Sequence, residues 1–107
     1  MRLDVMTTGM PLRRVQDLAR DVGRSGHAGL VVTESGRTAY LSCAAAALAA
    51  DIDLLTGIAV AFPRSPMVTA SVAWELAECS GGRFRLGLGT QVRAHIERRY
   101  GAAFDPP

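Results

Sequence analysis

An α/β fold built on a parallel sheet is predicted by two observations. Short apolar segments alternate along the chain with stretches whose apolar residues recur at steps of three and four. The clearest strand-like segment, residues 28–33 (AGLVVT), is also a continuous apolar run and not an alternating one, which predicts burial on both faces. The order reads βαβαβαβα, and right-handed crossovers build such an order either into a doubly wound sheet or into part of a (β/α)8 barrel.

Each element has a local reason. Residues 2–8 (RLDVMTT) form the first strand, and Pro11 stands in the first turn of a helix, where its missing N–H costs nothing. Leu12, Val15, Leu18, Ala19 and Val22 share one face of that helix, while Arg13, Arg14, Asp17, Arg20 and Asp21 cover the other. Gly23 and Gly26 end it. A polar turn, residues 34–38, follows the second strand and leads into the alanine-rich helix 40–50, whose small side chains permit close approach to a sheet. Residues 54–62 (LLTGIAVAF) form the third strand, with Gly57 marking a bulge or a close approach by a ligand or another backbone. Ser65 caps the third helix with Pro66 at its first position, and the helix ends at Ser80-Gly81-Gly82. Trp74 on that helix reads as core or interface packing. Residues 85–89 (RLGLG) form the fourth strand, and residues 91–100 a fourth helix capped by Thr90.

Composition narrows the function classes. The chain has 107 residues, 49% hydrophobic and 21% charged, which suits one globular domain over residues 1–107. All 12 basic residues are arginine, scattered apart from Arg13-Arg14 and Arg98-Arg99, without a tract of alternating basic and aromatic residues to stack on bases. Nucleic acid is therefore not the expected partner. Cys43 and Cys79 stand far apart and outside any CxxC, so both read as reduced packing residues. His27 reads as a surface residue, and His95 lacks a second ligand at helical spacing, so no metal site is expected. No apolar run reaches the length of a bilayer span, and Asp4 interrupts any signal-peptide pattern; the expectation is a cytoplasmic protein with no membrane partner.

Three segments, TGIAVAFPRSP (56–66), SGGRFRLGLGTQ (80–91) and HIERRYG (95–101), occur in an order and at distances that carry a resemblance. The whole chain resembles the N-terminal part of the luciferase-like monooxygenase family, specifically its deazaflavin-dependent (coenzyme F-420) oxidoreductases. That resemblance implies the N-terminal half, four βα units, of a TIM (β/α)8 barrel. A full barrel takes about 250 residues. It further implies hydride transfer at a deazaflavin ring, with FMN as the alternative cofactor and a small-molecule substrate.

Site residues follow from the same resemblance. Gly57, Ile58 and Ala59 fall where many members have a bulge with a non-prolyl cis peptide that supports the ring. Gly89, Thr90 and Gln91 fall where the fourth strand turns into its helix beside the cofactor. Glu34 takes the place of an acidic residue at the end of the second strand, where a carboxylate can accept a proton or orient substrate. The family often has a histidine close to that carboxylate, and this chain has Ser35-Gly36-Arg37-Thr38 there instead.

Half a barrel leaves inward residues such as Ile58 and Val60 short of partners and leaves open strand edges. The isolated chain is accordingly expected to be inactive, and to form a homo-oligomer, pair with a complementary half barrel, aggregate or stay partly molten. The alternatives to an enzyme are a non-catalytic half-barrel interaction module and a truncated remnant.

Overall fold

The computed structural model describes residues 2–90. Its elements are β1 (Asp4–Thr8), α1 (Leu12–Arg24), β2 (Gly29–Thr33), α2 (Ala39–Ala49), β3 (Asp53–Thr56), β4 (Ala59–Val60), α3 (Pro66–Cys79), β5 (Phe84–Arg85) and β6 (Leu88–Gly89). The main sheet is parallel in the order β1-β2-β3-β5, and β4 pairs with β6 in a second parallel ribbon. The order follows the chain without reversing. A doubly wound sheet reverses at a switch point, whereas sequential right-handed crossovers set every helix on one side, which is the winding of a partial TIM barrel.

The helices pack as their sequences require. In α1, Val15, Ala19 and Val22 are buried, and the outward face carries the pairs Arg20–Asp17 and Arg24–Asp21. The helix passes through Gly23 to Arg24, and the turn is made by Gly26 at φ 82°. Alanines let α2 sit close, burying Ala39, Cys43, Ala45 and Ala46 between its neighbours and the sheet. Ser65 caps α3, its Oγ accepting the Val68 N–H at 3.2 Å, with Pro66 at the first position as predicted. Leu30, Val32 and Leu54 supply the sheet's share of the core.

The opposite face of the sheet is open. Parallel register places Met6, Val31, Leu55 and Arg85 in one row on that face, and Met6 is 68% exposed while Val31 and Leu55 are half-buried. The expected burial of segment 28–33 on both faces is thus corrected among the described residues. Leu30 and Val32 face the helices, and Val31 and Thr33 face the side that the remaining strands of a barrel close. Val60, expected to lack partners, is fully buried, and Ile58 is half-buried. Trp74 is 66% exposed, which removes the core reading and leaves the interface one. Cys79 is exposed, so the packing reading fails for it; Cys43 is buried, and burial pushes its thiol up to about 12.

The third and fourth predicted strands each divide in two. Residues 54–62 become β3 and β4, and residues 85–89 become β5 and β6. Between them the ladder is bridged by a side chain, since Thr56 Oγ1 donates to the Gly87 carbonyl at 2.8 Å and accepts the Gly87 N–H at 2.9 Å. Both second halves then pair with each other as a separate ribbon. The helix predicted over residues 91–100 lies outside the described residues.

Two glycines provide a test of this packing. A Cβ at Gly29 would lie 2.3 Å from the Asp53 carbonyl oxygen, so Gly29→Ala is expected to cost about 1–3 kcal/mol in urea unfolding. At Gly23, inside α1, the nearest atom is 3.6 Å away, and Gly23→Ala should stabilise by up to about 1 kcal/mol.

Candidate functional site

The ends of the parallel strands gather the chemistry-bearing residues. In a sheet of this winding the C-terminal ends of the strands form the rim on which sites are built. Here Thr8, Thr33 and Gly57 lie side by side on the open face, as the register of β1, β2 and β3 continues to the rim. The Gly57–Ile58 peptide bond is cis, as the resemblance implies. A Cβ on Gly57 would meet Val31 Cγ1 at 2.7 Å, so only glycine leaves that part of the face flat.

Beyond Gly57 the β2–β3 ladder stops, its last bond running from Gly57 N–H to the Val32 carbonyl at 2.8 Å. The next residues lean the other way: Ala59 N–H donates to Gly87 O at 2.8 Å and Ala61 N–H to Gly89 O at 3.0 Å. Successive N–H groups of a strand point to opposite sides. Val60 N–H therefore faces the β2 side, where no backbone acceptor remains, and it donates instead to Glu34 Oε1 at 2.9 Å.

Glu34 sits immediately after β2 and is buried. Its Oε2 accepts the Ala39 N–H at 2.8 Å, at the first residue of α2, whose N-cap Thr38 makes no side-chain cap. A carboxylate there answers both the free N–H and the positive end of the helix. Arg64, on the loop between β4 and α3, completes the shell: Nη1 donates to Oε1 at 2.8 Å and Nη2 to Oε2 at 2.6 Å, a bidentate pair. Arg64 Nη1 also donates to the Val60 carbonyl at 2.9 Å, and the guanidinium lies 4.5 Å from the centroid of the Tyr40 ring. Burial pulls the Glu34 pKa upward, but the Arg64 hydrogen bonds and the two backbone N–H groups outweigh it and hold the carboxyl below the ordinary glutamate range.

The other predicted site residues fall in different places. Ile58 is half-buried and lies over Gly89, where a Cβ would come within 2.3 Å of Ile58 Cδ1. Gly87 is equally constrained, since its Cβ would meet the Thr56 carbonyl oxygen at 2.2 Å. The glycines of the GLG segment thus admit the neighbouring β3–β4 unit. Ala59 belongs to the core. Thr90 is exposed at the end of β6, and Gln91 lies outside the described residues. Among the described residues no group of three or more His, Cys, Asp or Glu side chains is placed to hold a metal, and no helix is long and apolar enough to cross a membrane.

Sequence reasoning missed Arg64, Tyr40 and Thr56 as parts of this rim. The signal for Arg64 was available: it is an arginine between Pro63 and the Ser65 cap, directly after an apolar strand. Its partner, however, is thirty residues away.

The depressed Glu34 pKa gives a pH signature. Stabilisation from this carboxylate is fully present above the ordinary glutamate value of about 4.3 and is lost as pH falls through the lower folded-state value. Unfolding midpoints in urea should be level near neutrality and fall steeply below about pH 4.3. Glu34→Gln should remove the larger part of that fall, because the other depressed carboxylate among the described residues, Asp53, pairs with exposed Arg2 and Arg83 in a solvent-screened cluster at the opposite rim.

Comparison with known proteins places this geometry in a family. The chain is 41% identical over 97 residues to uncharacterized proteins of Mycobacterium bovis and of two strains of Mycobacterium tuberculosis, an overlap of 90% of this chain and 28% of each relative. It therefore spans little more than a quarter of the length of those relatives. The profile of the luciferase-like monooxygenases matches residues 1–107, the full sequence. With a parallel sheet wound in one direction and a match over its whole length, the chain belongs to the luciferase-like monooxygenase family.

Proposed function

We propose that this chain forms one wall of a flavin-type cofactor site in an oxidoreductase, with the ring lying on the open sheet face at the C-terminal rim. The observation that carries this reading is the flat patch of Thr8, Thr33 and Gly57, flanked by Ile58 and backed by Val31. A largely apolar surface with a few hydroxyl groups suits a planar aromatic ring. Deazaflavin (coenzyme F-420) is the first candidate and FMN the second. The cofactor, when bound, supplies hydride transfer; the chain's residues orient the ring and shield one face from water. Gly89 and Thr90 form the edge of the wall on the β6 side, and the small-molecule substrate is held largely by residues of the remaining barrel units.

Two surfaces fit partners in this reading. The open row of Met6, Val31 and Leu55 suits the complementary half of a barrel. The outer faces of α2 and α3 suit a second copy of the chain: α2 has no charged residue, α3 carries only Glu75 and Glu78, and Leu41, Leu48, Met67 and Trp74 stand exposed. By contrast, the outward face of α1 is covered with charge.

Titration of the chain with FMN and with deazaflavin, followed by amide NMR, tests the wall. Saturable shifts centred on Thr8, Thr33, Gly57, Ile58 and Gly89 are expected, with weak affinity from a single wall; shifts centred on the α2–α3 groove, or none, contradict it. Sedimentation equilibrium tests the second surface. The native chain should self-associate, and Leu48→Glu with Trp74→Glu should weaken association at least tenfold; unchanged association would remove α2 and α3 as the interface.

A further inference from the structure

We infer that Arg64 and Glu34 form a positioning latch that sets the β4 ribbon, and with it Gly57 and Ile58, against the end of β2. The inference rests on the reading of this rim as a cofactor wall and gives Glu34 a different task from the proton acceptor expected at a strand end. Both of its oxygens are engaged, Oε1 by Val60 N–H and Arg64 Nη1 and Oε2 by Ala39 N–H and Arg64 Nη2. The residue is 4% exposed, so neither oxygen faces an open site.

Position, and not proton transfer, follows from where the bonds go. The β2–β3 ladder ends at Gly57, and β4 is tied to the β2 side through the Glu34 side chain. On its other side β4 is held by Gly87 and Gly89. Gly57 and Ile58 are therefore suspended between a backbone bond at Val32 and a side-chain bond at Val60. Arg64 fixes the carboxylate plane by its fork, binds the Val60 carbonyl with the same nitrogen, and is itself oriented by the Tyr40 ring. A lysine in its place keeps the charge and loses the fork.

Hydrogen exchange at single amides tests the latch in the folded chain. In Arg64→Met and Glu34→Gln, protection of the Val60 and Ala39 amides should fall at least tenfold further than that of Leu30 and Val32; Arg64→Lys should recover part of the loss. A uniform fall across the sheet would reduce the pair to general stabilisation, and unchanged protection at Val60 would overturn the latch. Should the variants fail to fold, the native chain still decides: a scalar coupling across the hydrogen bond between the Val60 amide nitrogen and the Glu34 carboxyl carbon is expected, and its absence overturns the proposal. The same FMN and deazaflavin titrations complete the test. Affinity should weaken about tenfold in Arg64→Met, with partial recovery in Arg64→Lys. Equal affinity in a variant that has lost Val60 protection would sink the positioning role. Absence of binding by the native chain would instead count against the cofactor wall, with the exchange data still reporting on the latch.

Discussion

Four donors converge on one buried carboxylate, and the rim of this sheet depends on that convergence. Removing a carboxylate from water costs several kcal/mol even after relaxation, so Glu34 is tolerable inside only because its lone pairs are satisfied and a guanidinium balances its charge. What the arrangement achieves is connection. The end of β2, the first turn of α2, the end of β4 and the loop before α3 all meet at its two oxygens. Each of these segments leaves a backbone or charged group that needs a partner, and the Glu34 carboxylate provides one.

The two faces of the sheet divide the remaining work. On the helix side, small residues of α2 and aliphatic residues of α1 close over Leu30, Val32 and Leu54, which is ordinary core packing. On the other side, the row from Met6 to Arg85 stays open at mid-sheet, and only the rim is organised. A surface flat at Gly57 and bounded by a tied ribbon is where a planar ligand can lie without competing with the core. The proposed self-association and the proposed cofactor binding would thus use different surfaces, the outer faces of two helices and the inner face of the strands.

Much of this was legible in the sequence, and the exceptions have physical causes. The spacing of Val15, Ala19 and Val22, the Ser65-Pro66 start and the βα order each depend on residues close in the chain, and they appear as read. The division of the third and fourth strands did not show, because the break is made by a contact between Thr56 and Gly87 thirty-one residues apart. Nor did the sequence show that Gly87 and Gly89 permit a close approach to Thr56 and Ile58. Glu34 was legible as a carboxylate at a strand end. Its task was not, since that depends on Arg64, and a pairing across such a separation leaves no local pattern.

Glu34 and Arg64 act as one unit, and a double-mutant cycle measures their coupling. Urea unfolding of Glu34→Gln, Arg64→Met and the double variant at neutral pH yields their coupling energy. Coupling of at least about 2 kcal/mol is expected, with the double variant more stable than Arg64→Met alone because no buried charge is left unpaired. Additive effects, within about 0.5 kcal/mol, would show that the two residues contribute independently and would contradict it.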